Sequence, residues 1–160
     1  MKEFEIKDPI TDNGVSLIIR PMEDSDVLAA SKLESATFSM PWKADDFLEM
    51  VRADYAYYYV AMVGNNLVGI AGLRDIAGEG EITNIAVDLD YRGLRIGKEL
   101  VMTLLDKCDD LNIKDITLEV RVSNRVAINL YESLGFVSEG IRPGFYEKPT
   151  EDAVIMWRRG

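Results

Sequence analysis

The chain contains no histidine and only one cysteine, Cys108. The usual neutral-pH base and the commonest metal ligand are therefore missing, and proton transfer falls to carboxylate, tyrosine, lysine or cysteine side chains. Two residues stand out by position. Glu119 lies in Leu118-Glu119-Val120-Arg121, where apolar and polar residues alternate, so its carboxylate belongs on the opposite face of a strand from Leu118 and Val120. The plain alternative is a solvated strand glutamate. Tyr131 falls on the helix that follows, where a proton donor competes with a core tyrosine whose hydroxyl finds one partner. Cys108 sits on an apolar helix face and reads as packing rather than as a nucleophile.

A third feature is the turn Arg92-Gly93-Leu94-Arg95-Ile96-Gly97-Lys98, between an apolar strand ending at Val87 and an amphipathic helix. The first N–H groups of a helix have no internal acceptor, and its dipole makes that end partly positive. With arginine beside them and glycine admitting a ligand to the backbone, such a turn is suited to phosphate. It is neither a Walker A loop nor a dinucleotide GxGxxG. Glycine-containing strand–turn–helix junctions are common, so a purely structural turn competes with this reading.

The elements that must position these residues follow from periodicity. Val15 to Arg20 reads as a strand closed by Pro21. Asp24 is placed to cap a helix to about Ser35, and Asp45 to Ala53 has helical spacing of Phe47, Leu48 and Val51. Ala56 to Val63 and Leu67 to Arg74 form a hairpin about Gly64-Asn65-Asn66, and Glu81 to Val87 is a further strand. After the turn, Ile96, Leu100, Val101, Leu104, Leu105 and Cys108 share one helix face. Lys114 to Arg121 is a strand, Ser123 is placed to cap a helix through Leu134 ending at Gly135, and Phe136 to Ile141 and Ala153 to Arg158 close the sheet. Alternating strands and helices in the second half and a hairpin in the first predict a mixed α/β fold around one central sheet.

At 160 residues, 48% apolar and 29% charged, the chain reads as a single globular domain. Residues 1–14 are expected to be a loosely ordered N-terminal extension. No run approaches the ~20 apolar residues that span a bilayer, and the N-terminus lacks a signal-peptide core, so a cytoplasmic protein is expected. The formal charge of −10 argues against general binding to nucleic acid and suits a cationic partner, although solubility alone would explain it.

Val87-Asp88-Leu89-Asp90-Tyr91-Arg92-Gly93-Leu94-Arg95-Ile96-Gly97-Lys98, followed by an amphipathic helix, resembles the acetyl-CoA motif of the GNAT superfamily of N-acetyltransferases. Leu118 to Asn124 and Ala127 to Phe136 resemble its second conserved region. More narrowly, Phe38-Ser39-Met40-Pro41-Trp42, Asn84-Ile85-Ala86-Val87 and the segments Gly144-Phe145-Tyr146 and Glu151-Asp152-Ala153 are similar to the RimI type, which acetylates the N-terminal alanine of a ribosomal protein. The resemblance runs from about Ser16 to Trp157. It implies a GNAT-type fold, with a mixed sheet of about six to seven strands flanked by about four helices. One departure matters: the family pattern Gln/Arg-x-x-Gly-x-Gly/Ala places glycine where this chain has Arg95, and a glycine stands two positions earlier, at Gly93. Either Arg95 points away and leaves the backbone free to bind pyrophosphate, or its side chain narrows the site.

The resemblance further implies acetyl-CoA as donor substrate, held by Ile85, Ala86 and Val87, by Arg92 through Lys98, and by Asn124. It implies Glu119 as base and Tyr131 as acid toward the leaving thiolate, with no metal. Phe38, Trp42 and Tyr146 are the candidates for the acceptor side, Trp42 competing with a packing role. Deprotonating an α-amine at pH 7 costs about 1 kcal/mol and a lysine about 4.6 kcal/mol, so a modest base suffices for an N-terminus. The reading favoured is an N-terminal acetyltransferase acting on a ribosomal or other protein, without direct contact to nucleic acid or membrane. A small-amine acetyltransferase and a non-catalytic CoA-binding module are the alternatives.

Overall fold

Period-two alternation of apolar side chains builds one continuous sheet. The computed structural model describes residues 1–160. Its strands are β1 Lys2–Lys7, β2 Gly14–Pro21, β3 Ala56–Val63, β4 Asn66–Ile76, β5 Glu79–Val87, β6 Ile116–Arg121, β7 Val137–Tyr146 and β8 Glu151–Arg158. They lie in the order β1-β2-β3-β4-β5-β6-β8-β7, all neighbours antiparallel except β5 and β6. The helices are α1 Val27–Thr37, α2 Ala44–Arg52, α3 Ile96–Asp110 and α4 Arg125–Ser133. The mixed α/β architecture and the four helices are as expected.

Two expectations are corrected. The sheet has eight strands rather than six to seven, and residues 1–14 are not simply a loose extension. Lys2 to Lys7 pairs in full register with β2, from Lys2 opposite Ile19 to Lys7 opposite Gly14. The reason is alternation: Phe4 and Ile6 pack against the core while Glu3, Glu5 and Lys7 face water. Both helix caps also differ in detail. Asp26, not Asp24, organises the entry to α1, accepting from the Glu23 N–H at 2.7 Å and from both Arg20 Nη atoms. Asn124 rather than Ser123 caps α4, its Oδ1 accepting from the Ala127 N–H at 3.2 Å.

The helices divide between the two faces. The larger core lies under α3 and α4 and includes Ile96, Leu100, Leu104, Ile116, Leu118, Val120, Ile128 and Tyr131. The smaller lies under α1 and α2 and includes Ala30, Leu33, Phe47, Tyr58, Val60, Ile70 and Ala86. The β4–β5 register slips once, where Gly72 pairs with Asn84 and Leu73 with Ile82, leaving Thr83 as a bulge. Because of that extra residue, Ile82 and Ile85 both pack on the α3 side, while Asn84 turns toward α1. Tyr58 crosses over Gly72, its hydroxyl 2.5 Å from Thr83 Oγ1 and donating to Asn84 Oδ1 at 3.0 Å.

Glycine at position 72 is therefore a packing requirement. A Cβ there would run into the Tyr58 ring and lie 2.9 Å from Thr83 Oγ1. Gly72→Ala is expected to lower stability by about 2 kcal/mol, read as a shift in the urea midpoint at unchanged slope. An unchanged midpoint would show that the ring can move aside.

Candidate active site

The centre of the site is a gap in the sheet. β5 and β6 pair only at Gly80 with Ile116 and Glu81 with Thr117. Beyond those pairs β5 continues to Val87 with no neighbour on its β6 side. On its other side Asp88 N–H donates to the Val68 carbonyl at 2.8 Å, and Ala86 is paired with Ile70. Alternation along an antiparallel strand then turns the N–H groups of Ile85 and Val87 away from β4, into the gap.

The turn opens at the end of this unpaired edge. Asp88 Oδ1 accepts from the Asp90 N–H at 2.9 Å, closing a short 3-10 turn over Leu89–Tyr91. Arg95 stands at the N-cap of α3 with φ 65° and ψ 15°, a left-handed conformation, and its side chain makes no cap. The first intrahelical bond runs from Glu99 N–H to the Arg95 carbonyl, so Ile96, Gly97 and Lys98 present backbone N–H groups at the helix start. Arg92 and Arg95 are exposed, and Gly93, at φ +81°, has nothing within 4 Å of where a Cβ would stand. At Gly97 the nearest atoms to such a Cβ are Val87 Cγ2 at 3.7 Å and Leu130 Cδ2 at 3.8 Å, so the turn, the end of β5 and α4 converge there. The left-handed conformation at this position accounts for the glycine of the family pattern, which adopts it without strain, whereas Arg95 adopts it with a Cβ in place.

Glu119 lies on the face of β6 opposite Leu118 and Val120, which are in the α3-side core, and so faces the α1 side. Its carboxylate is half-buried and meets Arg142 of β7, Oε1 to Nη2 3.3 Å. Burial raises its pKa above the ordinary glutamate value; Arg142 works against the rise and the neighbouring Glu81 with it. Tyr131 is on the other face, buried within the α3-side core and edge-on to Phe136 at 5.9 Å. Burial also raises its pKa, with Tyr146 adding to the effect. Tyr146 in turn is pushed up to about 12 by burial and by the charge of Glu119. Tyr146 is therefore within electrostatic reach of both Glu119 and Tyr131.

Arg121 closes the α1 side. Its guanidinium donates to the carbonyls of Glu147 and Pro149, to Ser39 Oγ and to Glu151, and stacks 4.5 Å over the Tyr146 ring. The Phe38–Trp42 turn is thereby tied to the β7–β8 loop. Phe38 is exposed there, whereas Trp42 stacks on Tyr58 at 6.0 Å and leans on Phe47 at 5.3 Å. Trp42 is thus an aromatic packing anchor, and Phe38 is the more open group. Asn124 is exposed at the start of α4, its side-chain oxygen already occupied by the cap. No cluster of three or more His, Cys, Asp or Glu side chains is arranged to hold a metal ion, and no helix is long and apolar enough to cross a membrane.

Three side chains at the site escaped the sequence reading: Arg121, Arg142 and Glu34. Glu34 is buried on α1 and bonded to Asn84 at 3.3 Å. It had a signal, since it follows Val27 and Ala30 at helical spacing and so shares their inward stripe. Arg121 had only its alternation with Glu119 along β6, and Arg142 had none, because its contact with Glu119 is set by strand pairing.

Residues 27–136 match the model of the acetyltransferase (GNAT) family. A ribosomal protein bS18-alanine N-acetyltransferase of Escherichia coli (strain K12) is 34% identical over 142 residues, spanning 86% of this chain and 94% of that protein. A Bacillus subtilis (strain 168) protein provisionally given the same name is 35% identical over 140 residues, 87% of this chain and 93% of that one. The crystal structure of the Escherichia coli ribosomal-protein-S18-alanine N-acetyltransferase superposes with a TM-score of 0.83 at 31% identity, covering 89% of this chain and 93% of that chain. Ard1 from Thermoplasma volcanium gives 0.82 at 25% identity, covering 89% and 97%.

The strain at Arg95 is measurable. Arg95→Gly removes the Cβ clash of the left-handed conformation and is expected to raise stability by about 1 kcal/mol, read from chemical denaturation. A lower stability would mean that the arginine side chain contributes more than its backbone strain costs.

Proposed function

The chain belongs to the GNAT family of acetyltransferases and is an N-acetyltransferase that uses acetyl-CoA, and we propose that it acetylates the N-terminal amine of a protein, alanine-first and ribosomal, with Glu119 as base. The observation that carries this reading is the gap between β5 and β6, flanked by Glu119 on the α1-side face of β6 and by the α3 turn and Tyr131 on the other side of the sheet. Donor and acceptor can then approach from opposite faces and meet between the strands. The relatives whose names specify bS18-alanine acetylation are similar over nearly their whole length, which supports the acceptor class.

The residues present fit the donor. The uncapped N–H groups of Ile96, Gly97 and Lys98, with Arg92 and Arg95 at the surface beside them, suit a pyrophosphate. The free N–H groups of Ile85 and Val87 suit the amide-bearing arm and the thioester carbonyl, where negative charge develops as the amine attacks. Asn124 stands at the start of α4, and its side chain serves the cap.

Glu119 takes the proton that the amine loses, directly or through one water. Its raised pKa makes it a better match to an α-amine than an ordinary glutamate, while Arg142 favours its ionised form. Tyr131 acts on the departing sulfur. A free thiol has a pKa of about 8.5, well below that of this buried phenol, so complete proton transfer from Tyr131 runs uphill. Its contribution is a hydrogen bond donated to the developing thiolate, with the proton exchanged later with solvent. Excess negative charge on the protein, −10 overall, favours a cationic acceptor peptide.

The decisive assay measures CoA release with alanine-starting peptides, lysine-containing blocked peptides and small amines. Release confined to the free alanine N-terminus supports the reading; release with small amines alone, or none despite CoA binding, contradicts it. Glu119→Gln should lower turnover by about 10²-fold near neutral pH, with part of the loss recovered as the amine deprotonates unaided at higher pH. Because the base must be ionised and its pKa is raised, the wild-type rate should fall on acidification at a pH above the ordinary glutamate range. Full activity of Glu119→Gln would remove it as the base. Tyr131→Phe should slow turnover while leaving acetyl-CoA affinity near the wild-type value; a lost affinity would make it a packing residue.

A further inference from the structure

Glu34 on α1 is 4% exposed, and the chemistry above does not use it. Its Oε1 accepts from Asn84 Nδ2 at 3.3 Å, and Oε2 is buried with no hydrogen-bond partner. A buried carboxyl group left half-bonded is expensive to keep in a core, and a purely structural position would be served as well by an apolar side chain.

Its surroundings show what it joins. Burial pushes its pKa up to about 7, against the Trp42 backbone N–H, which lies nearby without closing a hydrogen bond, and the Asn84 amide bonded to Oε1, both of which favour the ionised form. One helical turn earlier, Ser31 Oγ donates to the Trp42 carbonyl at 3.1 Å. Ser31 of α1 thus bonds the Trp42 carbonyl while Glu34 lies beside its N–H, at the end of the turn that carries Phe38 and Ser39. Asn84, on the other side, is the residue between the Thr83 bulge and the unpaired N–H of Ile85. It is held a second time by Tyr58, whose hydroxyl donates to its Oδ1.

We propose that Glu34 is a positioning residue: in its ionised form it locks the Phe38–Trp42 turn to the thioester-holding segment of β5, through Trp42 and Asn84. This rests on reading that turn as a wall of the acceptor site. The titratable groups facing the network are Tyr58 of β3, kept protonated by burial, and beyond it Arg74 of β4 and Glu81 of β5, which pair with each other. Protonating Glu34 removes the charge that draws in the Trp42 N–H and the Asn84 amide, and the lock slackens on both sides.

Glu34→Gln keeps the size and one acceptor oxygen but cannot ionise. At pH 8 it should raise the KM for the acceptor peptide by about tenfold, with a melting temperature equal to or above that of the parent. The variant-to-parent KM ratio should shrink toward one at pH 6, where the parent is itself protonated; amine ionisation and Glu119 affect both proteins alike and drop out of the ratio. A second readout does not need turnover. In a Trp157→Phe background, Trp42 is the sole tryptophan, and its emission should titrate between pH 6 and 8 in the parent and stay flat with Glu34→Gln. A wild-type protein that acetylates no peptide sinks the acceptor reading, and the fluorescence titration then decides the lock alone. A flat parent titration, a KM ratio of one at pH 8, or a lowered melting temperature with unchanged KM overturns the proposal.

Discussion

Everything at this site depends on β5 and β6 pairing for only two residues each before they part. Unpaired strand edges inside a sheet expose backbone donors and acceptors that must find partners. Here the exposed donors are those of Ile85 and Val87, and the chain fills neither place with its own side chains. The Thr83 bulge contributes by changing which face the following residues present, so that Asn84 is gripped from α1 while Ile85 and Val87 pack toward α3. The gap is thus built into the sheet rather than left by a mobile loop.

The two faces divide the chemistry. On the α3 side the helix start and Tyr131 provide positive dipole ends and a protonated phenol, which suit phosphate and departing sulfur. On the α1 side the carboxylate of Glu119, the proposed base, has an ionisation set by a balance between burial and Arg142. Direct attack through the gap requires no enzyme nucleophile, and the sole thiol, Cys108, is buried in the α3-side core and held protonated, its pKa pushed up to about 11. Arg121 joins the walls of the proposed acceptor side by gathering Ser39, Glu147 and Glu151 about one guanidinium.

Much of this was legible in the residues. Strict alternation marked β6 and put Glu119 opposite Leu118 and Val120, and helical spacing marked the buried face of α3 before any contact was known. The resemblance to GNAT motifs then joined three segments far apart in sequence. What stayed hidden has physical causes. β1 was missed because only Phe4 and Ile6 signal its inner face, too few to tell a strand from a loose end. The β7–β8 pairing that brings Arg142 to Glu119 depends on register, which no local pattern specifies. The left-handed backbone at Arg95 was signalled only indirectly, by a glycine absent from its usual place.

The central claim is that the edge of β5 facing the gap is the receptor for the acetyl donor. Amide hydrogen exchange at Ile85 and Val87 tests it most directly, followed residue by residue by NMR with and without acetyl-CoA. In the free protein these two amides should exchange far faster than Ala86 between them, which is bonded to β4, and acetyl-CoA should protect both. Amides already as protected as Ala86 in the free protein, or unchanged by saturating acetyl-CoA, would contradict it.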